Sequence, residues 1–246
     1  MNETVHFEPA QPEALSASTP PKRVSAPWAE TTPARPAAKE TTRTNDPART
    51  MAEILEVATA EFASKGLSGA RIDEIAAATR TSKRMIYYYF GSKEGLYIKV
   101  LEEAYRRVRS TESGLHLEDL PPEDALRRLV AFTFDHHDSN TDYIRLVMTE
   151  NMERGAFLAQ SKSIQDLNEP AIEAIRKLYE RGVAQGVFRP GLDPIDIHAS
   201  ISALTFFNVS NQHTFGLIFK RDTRAPEVMS ARRASIIEMI ARFVCV

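Results

Sequence analysis

The sequence predicts an all-α fold of about nine helices. From residue 46 onward, apolar residues recur three or four positions apart, which is the spacing of a helix face. Residues that cap helices, and prolines suited to a first turn, precede most of these periodic runs. No run alternates apolar and polar residues as a half-buried strand would. With 43% hydrophobic residues, the chain can also bury a substantial core.

The N-terminal segment differs and is predicted to be a disordered arm, residues 1–45. Residues 1–47 hold 8 of the 14 prolines among many Ala, Ser and Thr, and large apolar side chains are sparse there. Such a segment buries too little surface to offset the entropy of ordering it. The chain has one cysteine, no long apolar run and no secretory signal, so we expect a cytoplasmic protein with no membrane span.

Four helices are predicted in a first domain, residues 46–109. Asp46 can cap the first helix with Pro47 in its first turn, and Gly66 can end it. Ser82 and Ser92 are in position to cap the third and fourth helices. The predicted spans are about 47–65, 71–78, 83–90 and 93–109.

Five more helices are predicted in a second domain, residues 110–246. They begin near Pro122, Thr141, Pro170, Pro194 and Pro226. The last two are apolar around more than one side, which exceeds what a helix with one face in water requires. A chain of this size has few places to bury a helix all round. We therefore interpret the extra apolar face as a homodimer interface, with deep burial in a larger bundle as the alternative.

Residues 71–90 have the spacing of a helix-turn-helix, in which the second helix enters the major groove of DNA. Residues 43–109 carry 12 basic and 9 acidic side chains, whereas residues 110–246 carry 15 and 19. Lys83 and Arg84 lie in the first turn of the second helix, where they can donate to guanine O6 and N7. These features predict a DNA-binding segment joined to an acidic body.

Aromatic and cationic residues follow at the end of this motif. Tyr87, Tyr88 and Tyr89 occupy consecutive helical positions about 100° apart, so at least one or two hydroxyls must point outward, where phosphate can accept from them. Lys93 begins the fourth helix, where backbone N–H groups favour an anion. A solvated basic face is the alternative interpretation of each of these residues.

Several short motifs then occur in a fixed order along residues 48–109. They are Ile54–Phe62, Gly66, Ile72-Asp73-Glu74-Ile75-Ala76, Ser82-Lys83, Ile86-Tyr87-Tyr88-Tyr89-Phe90 and Ser92-Lys93-Glu94-Gly95-Leu96-Tyr97. In these motifs the chain resembles the TetR/AcrR family of bacterial transcriptional regulators. The resemblance implies a three-helix DNA-binding head, a fourth connecting helix, and a helical body that binds a ligand and dimerises through its last two helices. It also implies phosphate contacts by Tyr87, Tyr89 and Lys93 and base readout by the first turn of the recognition helix, where the candidates are Thr81, Ser82, Lys83 and Arg84.

The chain departs from the family pattern in three places. Arg80 stands where the turn usually has glycine, and a non-glycine in a left-handed turn costs about 1 kcal/mol. We therefore expect either a reshaped turn or a phosphate contact by Arg80. Ala70 stands where a threonine usually caps the second helix, which forfeits about 1 kcal/mol. The arm is the third departure, and Arg43 and Arg49 beside the first helix are candidates for minor-groove or backbone contacts. A plain linker is an equal alternative.

The body is expected to hold a small-molecule effector between its helices, in a mostly apolar pocket with a few polar groups. Ordinary core packing is the alternative for each candidate lining residue. The candidates are Phe132, His136, Met148, Met152, Phe206, Phe207 and Asn211.

The function predicted from these features is a homodimeric, ligand-responsive transcriptional repressor that a small molecule releases from a palindromic double-stranded DNA operator. No catalytic motif, cofactor or metal site is expected. Two alternatives remain at this point. One is a helical metal-binding enzyme built on the cluster from His136 to Asp142; the other is a helix-turn-helix interaction module that does not bind DNA.

Overall fold

The computed structural model of the protein describes residues 46–246. The predicted arm, including Arg43, lies outside the described residues. The described chain is all-α, as predicted, and it contains ten α-helices rather than about nine. They are α1 (Pro47–Gly69), α2 (Ile72–Ala78), α3 (Lys83–Phe90), α4 (Lys93–Ser113), α5 (Pro122–Ser139), α6 (Thr141–Met152), α7 (Lys162–Ala184), α8 (Pro194–Ser210), α9 (Gln212–Phe219) and α10 (Pro226–Val244).

The predicted helix starts at Asp46, Ser82 and Ser92 are confirmed by their capping hydrogen bonds. The Asp46 carboxylate accepts from Ala48 N at 3.0 Å, and the hydroxyls of Ser82 and Ser92 accept from the third residue of their helices. The helical backbone of α1 is interrupted at Gly66, whose φ is 67°. This left-handed value explains why glycine ends the regular part of the helix.

Three predictions about the helices were wrong in detail. Arg71 rather than Ala70 occupies the N-cap position of α2. Its side chain makes no capping hydrogen bond, and its backbone N–H donates to a Glu61 carboxylate oxygen at 3.0 Å. Helix α7 begins at Lys162 and contains Pro170, because the Ser161 cap starts it well before the proline. Helix α9 was not predicted, since it is short and no side chain caps it.

The helices pack into two apolar clusters. The first lies among α1–α4, which we call the head, and also includes Leu146 from α6 and Ile164 from α7. The second lies within α5–α10, which we call the body, and includes Phe134, Leu178 and Ile236. Helix α4 passes from the head into the body. Because α6 packs along α1 and α7 along α4, the head rests directly on body helices.

The described residues contain an isolated β-bridge, between Phe188 and Cys245, and no longer strand. The bridge joins the segment after α7 to the end of α10. Arg189 strengthens this closure, because its guanidinium donates to the backbone carbonyl of Cys245 at 2.9 Å. Across residues 46–246, no helix combines the length and apolarity that crossing a bilayer requires.

Candidate functional site

The turn between α2 and α3 sets the angle of the helix-turn-helix. Arg80 has a φ of 52°, so the turn keeps the left-handed conformation although it lacks glycine. The backbone N–H of Thr81 donates to Ala76 O at 3.0 Å, which closes the turn against α2. The Arg80 side chain is exposed and Thr81 is half-buried. The predicted strain at Arg80 is therefore present.

Helix α3 presents its cations outward. Ile86 is fully buried in the apolar cluster of the head and anchors the helix, while Lys83 and Arg84 in the first turn are exposed. Lys83 is not free, however, because its ammonium forms an ion pair with the Asp73 carboxylate of α2. Sequence reasoning missed Asp73, since its contact with Lys83 depends on how the two helices cross.

The three consecutive tyrosines lie in different environments, as their helical positions require. Tyr88 is the most exposed at 77%, and Tyr87 is 44% exposed. Tyr89 is half-buried, with its ring edge-on to Tyr88 at a centroid distance of 5.4 Å. The side chains of Tyr87 and Tyr88 thus project from the exposed side of α3. Tyr88 was not among the predicted site residues.

Lys93 and Arg49 lie beside the recognition helix. The Lys93 ammonium donates to the backbone carbonyl of Ser68 at 3.3 Å, which connects the start of α4 to the end of α1. Bonding to its own backbone N–H and to the Ser92 hydroxyl lowers the pKa of Glu94, which shows that the first turn of α4 favours negative charge. Arg49 is exposed on α1 and donates to Glu53 at 3.0 Å.

The predicted effector residues do not share one pocket, so that grouping was wrong. Phe132 and His136 line a cavity of about 60 Å³, Met148 and Met152 a cleft of about 590 Å³, and Phe207 with Asn211 a cleft of about 420 Å³. The remaining candidate, Phe206, packs edge-on to His137 at 6.0 Å. The error arises because apolar periodicity shows which face turns inward but not which inward faces meet.

A polar centre inside the body was also missed. Arg109 of α4 pairs with Glu112, and its Nε donates to Asn168 Oδ1 at 2.9 Å. This pair borders both the 60 Å³ cavity and a neighbouring cavity of about 130 Å³. The signal in the sequence was two opposite charges three residues apart on the inward side of α4.

Histidines surround this centre and are held neutral. Burial, reinforced by nearby positive charge, lowers the pKa of His136 and His198 and lowers that of His137 to about 4. His137 Nδ1 lies 3.0 Å from the Thr205 hydroxyl, whereas His136 Nδ1 is buried and has no hydrogen-bond partner in residues 46–246. An unpartnered buried nitrogen beside a cavity can receive a hydrogen bond from a bound molecule.

The cluster from His136 to Asp142 does not form a metal site. His137 faces Thr205, and Asp138 is paired with Arg224 near the start of α10. Among the described residues, the group of possible ligands that lie close together is His116, Glu118 and Asp119, all exposed after α4. The prediction that a metal-binding enzyme would use His136–Asp142 is therefore not supported by the geometry.

Sequence comparisons agree with the helix-turn-helix assignment. The family described as "Bacterial regulatory proteins, tetR family" matches residues 54–100, and "Tetracyclin repressor-like, C-terminal domain" matches residues 122–240. The HTH-type transcriptional repressor NicS of Pseudomonas putida is 37% identical over 166 residues, 68% of this chain and 78% of NicS. The HTH-type transcriptional repressor SCO4008 of Streptomyces coelicolor is 37% identical over 139 residues, 56% of this chain and 69% of SCO4008.

Solved structures share the fold. A bacterial regulatory protein in the tetR family from Rhodococcus RHA1 aligns with a TM-score of 0.64 at 23% identity, covering 80% of this chain and 98% of that protein. The ketosteroid transcriptional regulator KstR2 of Mycobacterium tuberculosis aligns with a TM-score of 0.58 at 19% identity, covering 80% of this chain and 95% of KstR2. At these identities the similarity concerns the arrangement of helices.

Proposed function

Because this chain belongs to the TetR family of bacterial transcriptional regulators, we propose that it is a repressor that binds a palindromic operator as a homodimer and leaves it when a small molecule binds. The protein is a regulator rather than an enzyme, and a regulator of bacterial genes acts in the cytoplasm. The observation that carries the proposal is the first turn of α3, where Lys83 and Arg84 are exposed on a helix anchored by buried Ile86.

In this proposal α3 lies in the major groove with its N-terminal end toward the bases. Arg84 and Lys83 donate to guanine, and Thr81 and Ser82 approach the same base edges. Arg80, Tyr87 and Lys93 contact phosphates on either side, and Arg49 reaches the backbone from α1. Half-buried Tyr89 supports α3 more than it extends from it, so we assign it the weakest phosphate contact.

Dimerisation is proposed to use α8 and α10. Each helix carries a stripe of exposed, uncharged side chains spaced four residues apart, which is the ridge that packs into a groove on another helix. The stripes mix small and large residues, as close helix packing requires, and no charge needs to be desolvated within them. Their members are Ile195, Ala199, Ala203 and Phe207 on α8, and Ala231, Ser235, Met239 and Phe243 on α10.

Helix α9 extends this surface. Its ring contacts continue the α8 stripe, because Phe215 lies 5.8 Å from Phe207 and 4.5 Å from Phe219. Leu217 and Ile218 at its end are 80% and 70% exposed. A contiguous exposed apolar patch of this kind is typical of a contact with another protein, and in this proposal the partner protomer covers it.

The effector is proposed to bind at the Arg109–Glu112 pair, between the two cavities that this pair borders. Helix α4 holds the pair and also continues into the head core, so a molecule that moves Arg109 moves the helix that carries the head. The effector can lower DNA affinity only by as much as its own affinity differs between the two positions of the head.

The proposal is tested by selecting bound duplexes from a random pool and measuring their affinity by fluorescence anisotropy. We expect a palindrome whose half-sites lie about 34–36 Å apart. Lys83→Ala and Arg84→Ala should each weaken operator binding at least 10-fold, while Lys177→Ala, an exposed lysine on α7, should not. Failure to enrich any sequence would favour the helix-turn-helix interaction module instead.

A further inference from the structure

We propose that Asp73 is a specificity-determining residue, which holds the Lys83 ammonium and thereby weakens binding to DNA that offers only phosphates. The inference rests on the proposed function of α3 as the recognition helix. Asp73 lies in the first turn of α2, and its carboxylate pairs with Lys83 across the turn of the helix-turn-helix.

The pair is placed where DNA would meet it. Both side chains are 55% exposed, so the pair faces outward rather than into the head core. Lys83 is the first residue of α3, where a positive charge opposes the helix dipole, whereas Asp73 near the start of α2 is favoured by it. The start of α2 therefore favours the Asp73 carboxylate, and this carboxylate offsets the unfavourable position of the Lys83 ammonium at the start of α3.

The other carboxylate in this turn of α2 shows what is particular about Asp73. Glu74 is also paired with a lysine, Lys65, but that lysine lies on α1. None of the ion pairs within residues 46–246 involves Arg80 or Arg84. Among Arg80, Lys83 and Arg84, Lys83 is the cation whose charge is offset by a carboxylate of the neighbouring helix α2. The recognition helix thus carries one restrained and one unrestrained cation in its first turn.

Restraint of Lys83 affects two binding modes differently. Binding to non-cognate DNA depends on attraction to phosphates, and there a lysine paired with a carboxylate contributes little while the carboxylate is repelled. At the operator, an ammonium with three N–H donors can keep Asp73 on one donor and give another to guanine O6 or N7. Asp73 therefore penalises non-cognate DNA more than the operator.

The test compares the operator from the selection with a scrambled duplex of equal length and composition, at several salt concentrations. For Asp73→Asn we expect affinity for the scrambled duplex to rise about 10-fold and operator affinity to change less than 3-fold. Glu74→Gln is the matched control, because it removes the same charge one position along but frees Lys65; it should raise both affinities by a similar small factor.

A second comparison asks whether Asp73 acts through Lys83. In a Lys83→Ala background, Asp73→Asn should leave the ratio of the two affinities unchanged within 2-fold. The proposal would be overturned if Asp73→Asn still lowered the ratio of operator affinity to scrambled-duplex affinity 10-fold in that background. It would also be overturned if Asp73→Asn alone raised the affinities for both duplexes equally. If the wild-type protein itself shows no preference for the operator, the proposed function fails as well, so the two failures are told apart.

Discussion

The hydroxyl of Ser161 donates to a carboxylate oxygen of Glu102 at 2.7 Å, and both side chains are buried. Glu102 lies on α4, and Ser161 is the cap of α7, so the bond joins the helix that carries the head to a body helix. Lys99 donates to the other carboxylate oxygen at 2.7 Å. The head and body therefore meet through a polar contact as well as an apolar one.

Replacing Ser161 by alanine should destabilise the protein by about 2 kcal/mol, because a buried carboxylate loses a donor and α7 loses its cap. Burial alone would raise the pKa of Glu102, but the hydrogen bonds from Lys99 and Ser161 outweigh burial and hold the pKa below its ordinary value. A lowered pKa in the folded state makes this contribution complete above the ordinary carboxyl pKa. Urea unfolding should therefore show the wild-type advantage shrinking as pH falls below that value.

The neutral His137 should make stability depend on pH. Its pKa is about 4 in the folded protein, compared with 6.5 in the unfolded chain, so the unfolded state alone takes up the proton between these values. Stability should then rise with pH across this window. His137→Gln should remove about 2 kcal/mol of the decrease that the wild type shows between pH 7 and pH 4.5. Equal decreases in the two proteins would contradict a neutral, buried His137.

Arg80→Gly should separate stability from DNA binding. Glycine relieves the left-handed strain at φ 52°, so the free energy of unfolding should rise by up to about 1 kcal/mol. Loss of the cation should weaken operator binding and reduce the slope of log affinity against log salt by about 0.9 if Arg80 contacts one phosphate. Arg80→Lys keeps the charge and the strain, so it should change neither quantity appreciably. Thermal denaturation and anisotropy measure the two effects.

The tyrosines of α3 offer a graded comparison. Tyr87→Phe removes a hydroxyl proposed to donate to phosphate and should weaken operator binding by about 10-fold or more, since a hydrogen bond to a charged group is worth about 1.5–3 kcal/mol. Tyr89→Phe should have a smaller effect, because this side chain is half-buried. Tyr88→Phe reports whether the most exposed hydroxyl also reaches DNA. An effect of Tyr89→Phe larger than that of Tyr87→Phe would reverse our assignment.

The dimer surface proposed on α8 and α10 can be tested by introducing one bulky charge. Ala203 lies exposed in the middle of the α8 stripe, so Ala203→Arg should not disturb the monomer core but should leave an unpaired charge at a dimer contact. Light scattering at micromolar concentration should give a dimer for the wild type and a monomer for this variant. Ala184→Arg, at an exposed alanine on the end of α7, should remain dimeric. If the Ala203→Arg variant were still dimeric, the proposed interface on α8 and α10 would be wrong.

The features that the sequence predicted correctly depend on neighbours along the chain. A cap such as Ser92 acts on N–H groups three residues away, and the break in α1 falls at Gly66, a residue type that adopts a positive φ without a Cβ clash. These interactions are local, so their residue types alone suffice. Pro170 misled the prediction of α7 because a proline can begin a helix or lie inside one, and the Ser161 cap places the start of this helix well before the proline.

The features that the sequence did not predict depend on helices that meet only in three dimensions. The Asp73–Lys83 pair joins two helices across a turn, and the angle of that turn determines whether the charges touch. The split of the effector candidates has the same cause, since Met148 and Phe132 both belong to body helices but border different cavities. The apolar periodicity of the sequence shows which face of a helix a side chain lies on. The angle at which two helices cross then determines which side chains meet in one site.

Leu146 and Ile164 complete the apolar interior of the head although both belong to body helices, with exposures of 0% and 2%. Each such side chain contributes about 1.5–3 kcal/mol when buried, a large share of the stability of a small domain. A fragment that ends after α4 would lack both and expose the surface they cover. We therefore expect the isolated head to be less stable than the same helices in the whole chain, and substitutions confined to the body to weaken DNA binding without altering any residue near DNA.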